Sequence, residues 1–193
     1  MATEEIRKRR EALIGLLKDS AEEVRLAAAK AIERLEGIES LGEVLQLLKK
    51  GNRGTKIKAI YALGRIGGEK VIPPLLYCIG RPEEDIKCAA IEVLGLLAYP
   101  RVLAPLAEKL RDASDAVKAK ALAALGNFPG RDQVHLIIPF LSANDGYLEA
   151  EALKTLARIG DASLSDRIIP LLGSPYAATR EAAASALGDL PVK

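Results

Sequence analysis

The stretch VRLAAAKAIERLEG, residues 24–37, decides the fold, because versions of it return along the chain: IKCAAIEVLGLLA from Ile86, VKAKALAALGNF from Val117 and TREAAASALGDL from Thr179. Stepping by 31 from Val24 gives Val24, Thr55, Ile86, Val117, Leu148 and Thr179, and four residues after each lies Ala28, Ala59, Ala90, Ala121, Ala152 and Ala183. Self-similarity at a fixed period of this size marks stacked supersecondary units, each of which buries its apolar face only against its neighbours.

Working outward, the column eight residues on reads Ile32, Leu63, Leu94, Leu125, Leu156, Leu187, and the next, three further, reads Leu35, Ile66, Leu97, Phe128, Ile159, Leu190. With the alanines these fall at i, i+4, i+8 and i+11 of one helical face, here called helix A. An unvarying alanine predicts that another backbone passes too close for a larger side chain. Gly64, Gly95, Gly126 and Gly188 extend that face at a helix-propensity cost of about 1 kcal/mol each. A second periodic stretch, helix B, carries Leu41, Ile72, Leu103, Val134, Ser165, then Val44, Leu75, Leu106, Ile137, Ile168, then Leu48, Ile79, Leu110, Leu141, Leu172. Gly67-Gly68, Pro100, Pro129-Gly130 and Gly160-Asp161 signal turns between A and B, and Asn52, Ser114 and Asp145 stand where a helix A wants an N-cap. The unit is therefore an antiparallel helix pair, and no stretch alternates with the period of a strand.

Residues 1–193 read as a single array: an N-terminal half repeat over 3–18, then copies starting near 21, 52, 83, 114, 145 and 176, the last truncated. The half repeat is polar enough, through Arg7, Lys8, Arg9, Arg10 and Glu11, to cap one end. The sixth helix A is Ala-rich and the sequence stops before a helix B, so Leu187 and Leu190 are expected to be uncovered, the last helix to fray first, and self-association to run through it.

The chain is 49% hydrophobic but only 4% aromatic, which suits a continuous aliphatic core. No apolar run approaches the ~18 residues of a membrane span, and the charged start lacks the apolar segment of a secretory signal, so the expectation is a cytoplasmic protein with no membrane partner. Cys78 and Cys88 are too few for a disulfide framework, and with a single histidine they make no metal site.

These helix A stretches, joined to helix B stretches such as RVLAPLAEKLRDA, resemble the HEAT-like repeats named after phycobilisome lyases. The resemblance covers nearly the whole chain. It implies an all-α, right-handed α-solenoid whose second helices line a concave face, in a family that serves mostly as protein-binding scaffolds. A basic residue after the first apolar position is typical of the family, and here that column reads Arg25, Lys56, Lys87, Lys118, Glu149, Arg180.

A row of cations could track phosphates. Glu149 interrupts it, however, and the position suits heads that pair with turn acids such as Asp19, Asp112 or Asp145 and with helix-end carbonyls. The exposed columns of helix B share no residue type, and their 25 positions hold five basic and five acidic residues. With a whole-chain charge of +2, a polyanion lacks its driving force, so the expected partner is a protein or peptide and not nucleic acid. Lys70, Tyr77, Arg101, Glu108, Arg111, His135, Leu136 and Pro139 form the candidate binding face, with the aromatic, apolar and Arg character of interface anchors.

Catalysis finds little support. His135 and Asp166 share a column one repeat apart, but no Ser or Cys nucleophile joins them. The paired His-Glu ligands of the deoxyhypusine hydroxylases that resemble this array do not occur, and neither does a tryptophan of the kind that HEAT-like DNA glycosylases place around a base. The expected function is a non-catalytic scaffold without cofactors; the alternative is a phycobilin-lyase-type or chaperone subunit acting on a chromophore-bearing protein.

Overall fold

Why the helices begin where they do is visible at their caps. Asn52 Oδ1 accepts the Thr55 N–H at 2.9 Å, Ser114 Oγ that of Val117 at 3.3 Å, and Asp145 Oδ1 those of Tyr147 and Leu148, each at 2.9 Å, so the expected N-caps satisfy N–H groups that no helical carbonyl can reach. The computed structural model describes residues 2–191, and among these every regular element is helical. The chain divides into two compact units, residues 1–75 and 76–193.

The first unit contains α1 (Ala2–Ile14) with a following 3-10 turn (Gly15–Lys18), α2 (Glu22–Lys50), α3 (Arg53–Ile66), the 3-10 turn Glu69–Val71 and the start of α4 (Ile72–Ile79). Copy one departs from the pattern: α2 runs unbroken for 29 residues through the place where a turn was expected. The cause lies in Glu36-Gly37-Ile38-Glu39. Copy two turns there on Gly67 and Gly68, at φ 66° and 78°, whereas a lone glycine costs a helix only about 1 kcal/mol and does not end it. Gly37 serves instead as a point of close approach, since a Cβ there would lie 2.7 Å from Ile66 Cγ1. Burial is sparse in this unit's first half. Only Ala28 and Val44 of α2 are buried, while Ile14, Leu26 and Leu47 are about half exposed.

In the second unit the helix A elements are α5 (Glu84–Leu97), α7 (Asp115–Leu125), α9 (Gly146–Ile159) and α11 (Ala177–Asp189), each packed on the next. Ala90, Ala121, Ala152 and Ala183 are all fully buried, as the column predicts. A Cβ on Gly95 would fall 2.6 Å from Ala124 Cβ, and one on Gly126 2.8 Å from Thr155 Cγ2, so these glycines mark real helix contacts; Gly188 meets nothing within 4 Å and does not. Leu94, Leu125 and Leu156 are wholly inaccessible to solvent, each contributing about 1.5–3 kcal/mol of transfer free energy.

Helix B is short in this unit. It appears as α6 (Leu103–Glu108), α8 (Val134–Ile137) and α10 (Ser165–Ile168), each continued by 3-10 turns: Lys109–Arg111, Ile138–Ser142 and Ile169–Gly173. Pro139 and Pro170 each follow the last α-helical turn by one residue and have no N–H to donate, which ends the α-pattern there.

The periodic reading misses one buried column. Val71, Val102, Gln133 and Leu164, spaced by 31, are between 0% and 4% exposed. At Gln133 the amide nitrogen lies 3.2, 3.1 and 3.3 Å from the carbonyl oxygens of Leu125, Phe128 and Gly130, fastening the end of α7 to its turn. Glu149 is also buried: it accepts the Thr179 hydroxyl at 2.7 Å and the Asn144 N–H at 3.1 Å, and so ties α11 to α9. The C-terminal helix differs from expectation as well. Leu190 is only 6% exposed and Leu187 is half-buried, because α11 lies on both α9 and the turn Ile169–Gly173. Its outward positions are Ala177, Ala178, Arg180, Glu181, Ala184, Ser185, Gly188 and Asp189.

Candidate functional site

In the cationic column, the heads of Arg25, Lys87, Lys118 and Arg180 are engaged within the chain. Arg25 Nη1 donates to the carbonyls of Asp19 and Ser20 at 2.8 and 2.9 Å, and Arg180 Nη1 repeats the arrangement on Ser174 and Pro175 at 2.8 and 3.1 Å. Lys87 Nζ sits 2.8 Å from Asp112, and Lys118 is 2.6 Å from Asp115 of its own helix. Burial pushes the Asp112 carboxyl up, but the Lys87 ammonium and the Ser114 N–H outweigh it and hold the group below the usual carboxylate range. Glu149 keeps the same role with the polarity inverted, accepting a loop N–H where the cations donate to loop carbonyls.

The candidate residues distribute as follows. Lys70 belongs to the first unit, exposed in the turn Glu69–Val71. The other seven belong to the second. Tyr77 is the most exposed tyrosine at 66%, yet it is not loose: Arg81 Nη1 donates to its hydroxyl at 3.1 Å and the Arg81 guanidinium carbon lies 5.6 Å from the ring centroid. Arg81 is itself held by Glu83 at 3.3 Å, and these two hydrogen bonds, Glu83 first, raise its pKa further above the ordinary value. Arg101, Glu108, Arg111, His135 and Pro139 are exposed, and Leu136 is half-buried beside them.

Two clefts lie on this side of the second unit. One of about 520 Å³ brings His135 together with Arg131, Asp132, Asp161 and Ser163; Arg131 is paired with Asp161, which also accepts from Ser163. The other, about 450 Å³, places Pro139 with Ile138, Leu141, Arg167, Pro170 and Leu171. Asp166 lines neither, so neither of these clefts brings it together with His135. Arg167 and Pro170 stand in helix B columns but were not singled out, because those columns repeat no residue type.

Among the described residues no group of three or more His, Cys, Asp or Glu is arranged to hold a metal ion. Cys78 is buried, and burial, then the nearby Glu84 charge, pushes the half-buried Cys88 thiol up, away from the thiolate form that a nucleophile needs. Among the described residues no helix is long and apolar enough to cross a membrane.

An all-helical array of in-phase repeats with a varied, mostly polar second-helix face defines a repeat solenoid class. The profile of HEAT repeats matches residues 10–86 and 72–137, so the chain belongs to the HEAT-repeat family. No curated protein is similar enough in sequence to count as a relative. Among solved structures, the Escherichia coli protein YibA is similar at 16% identity and a TM-score of 0.64, over 94% of this chain and 72% of that one. A designed armadillo repeat protein in complex with the peptide (KR)4 aligns at 17% identity and TM-score 0.57, covering 93% and 98% of the two chains. Computationally designed armadillo repeat proteins for modular peptide recognition align at 17% identity and TM-score 0.54, covering 93% and 99%. At such identities the likeness concerns the fold.

Proposed function

We propose that this chain is a non-catalytic scaffold that holds a protein or peptide on its helix B face. The observation that carries the reading is Tyr77, two-thirds exposed and yet fixed by Arg81, which is itself anchored by Glu83. A large exposed aromatic held in one position loses little entropy on binding, and Tyr and Arg anchors of this kind dominate interface energetics. Arg111, exposed with no ion pair among the described residues, is available as a second anchor. The designed repeat proteins of like fold, two of them described with peptides, support a peptide as partner. A nucleic-acid partner forms no part of the reading, since Arg25, Lys87 and Arg180 spend their charge on loop carbonyls and Asp112.

The test starts from the partner recovered by affinity capture in the native host. Tyr77→Ala with Arg111→Ala should weaken its binding by about 2 kcal/mol or more, as loss of central anchors does. Lys30→Glu and Lys58→Glu, exposed positions on α2 and α3, serve as controls and should leave binding unchanged. Weakening by the control pair alone would move the site off helix B.

A further inference from the structure

The cleft between α8, α10 and their 3-10 extensions combines apolar walls with one guanidinium. Its walls are Ile138, Pro139, Leu141, Pro170 and Leu171, enclosing about 450 Å³, room for an apolar side chain. Both prolines lack an N–H, so the wall they form offers no backbone donor. Arg167 lines the cleft, is exposed, and makes no hydrogen bond or ion pair among the described residues. Ser142 is the other polar residue lining it. One repeat earlier in the sequence columns, Glu108 stands before Pro139 and Arg111 before Ser142, and these cancel. Arg167 therefore stands unpaired beside a cleft whose lining residues, Ser142 apart, are apolar.

We propose that this cleft binds an acidic-apolar peptide segment, in which an apolar side chain enters between Pro139 and Pro170 and a neighbouring Asp or Glu meets Arg167. The inference rests on the scaffold reading and adds the partner's chemistry. A guanidinium offers a planar fork that fits a carboxylate with two parallel hydrogen bonds, and the apolar side chains beside it can hold the peptide's neighbouring residue. A lysine at the same place on the peptide would meet Arg167 with like charge.

Short peptides carrying a central Leu-Glu, Leu-Gln or Leu-Lys pair in a Gly-Ser background, titrated into the isotope-labelled full chain and followed by amide chemical shifts, test this. The Leu-Glu peptide should reach half-saturation at a concentration at least tenfold lower than Leu-Lys, with shifts centred on residues 138–142 and 167–171. Arg167→Gln should bring the Leu-Glu and Leu-Gln curves together while the Leu-Gln curve stays where it was. Three peptides that titrate alike on the unaltered chain, shifts centred elsewhere, or no binding by any of them would overturn the proposal. Charge-blind binding that is nevertheless lost in the Tyr77→Ala, Arg111→Ala variant would overturn the acidic preference and leave the scaffold reading standing.

Discussion

Residues 22–50 and residues 115–159 carry the same repeat, yet they are packed very differently. In α7 and α9 the apolar columns are shut away from solvent, and Ala121, Leu122, Ala152 and Leu153 are completely buried. In α2 the corresponding face keeps Val24, Ile32 and Leu35 only half-buried. A repeat is stabilised by its neighbours more than by its own sequence, so identical columns yield unequal local stability. Cross-repeat bonds follow the same division. Thr155 Oγ1 lies 3.3 Å from the Leu122 carbonyl, Arg158 donates to Asn127 and to the Ala123 carbonyl at 3.2 and 3.0 Å, and Glu149 joins Thr179; in the first unit the links include the partly exposed pair Arg10–Glu39 at 3.8 Å and the exposed pair Arg65–Glu33 at 3.9 Å, worth little in water.

The largest effect that follows is a core truncation. Leu153→Ala in α9 should cost about 2–5 kcal/mol, whereas Leu26→Ala, 52% exposed in α2, should stay within about 0.5 kcal/mol. Chemical denaturation of both variants checks the pair, and equal losses would erase the distinction. Glycine gives a contrast in sign. Gly95→Ala forces a Cβ to 2.8 Å from the Ala124 backbone and should destabilise by about 1–3 kcal/mol. Gly42→Ala, in mid-helix with nothing within 4 Å, should stabilise by about 0.5–1 kcal/mol.

Removing an internal bond should have an effect between these. Glu149→Ala leaves the Thr179 hydroxyl and the Asn144 N–H without their acceptor, at a cost of about 1–3 kcal/mol, and thermal melts of Glu149→Ala and Arg25→Ala should show the larger drop for the former. A smaller effect, read by pH, concerns Asp112. Its folded pKa is depressed, so its contribution is fully present above the unfolded value near 3.9 and is lost as pH falls through the folded value. Asp112→Asn should therefore be less stable at neutral pH and lose less stability on acidification below about pH 4. Parallel pH profiles for the two proteins would show that the Lys87 pair does not act in this way.

What the sequence revealed, and what it hid, follows from period and context. The alanine column was legible because a contact of two backbones admits one residue type, and all six alanines are at most 3% exposed. The Val71, Val102, Gln133, Leu164 column was equally periodic but went unread, since Gln133 looks like a surface residue until its amide is seen closing the turn after α7. The merged helix α2 was hidden because one glycine, Gly37, is compatible with either a turn or a helix. Exposure of the eight candidate residues was readable from helical phase, since seven are exposed and one is half-buried. A partner was not readable there, because the exposed helix B columns repeat no residue type, and the cleft at Arg167 arises only when two prolines from different copies are brought side by side.

Amide hydrogen exchange of the whole chain tests the central claim, that stability is concentrated in α7 and α9 and falls away through α2. Amides of residues 119–125 and 150–156 should exchange only through global unfolding, those of residues 179–187 in α11 nearly as slowly, and those of residues 24–36 at least a hundredfold faster, a gap of about 2.7 kcal/mol in opening free energy. Uniform protection from α2 through α11 would contradict the account, and so would a C-terminal helix that opens before the N-terminal one.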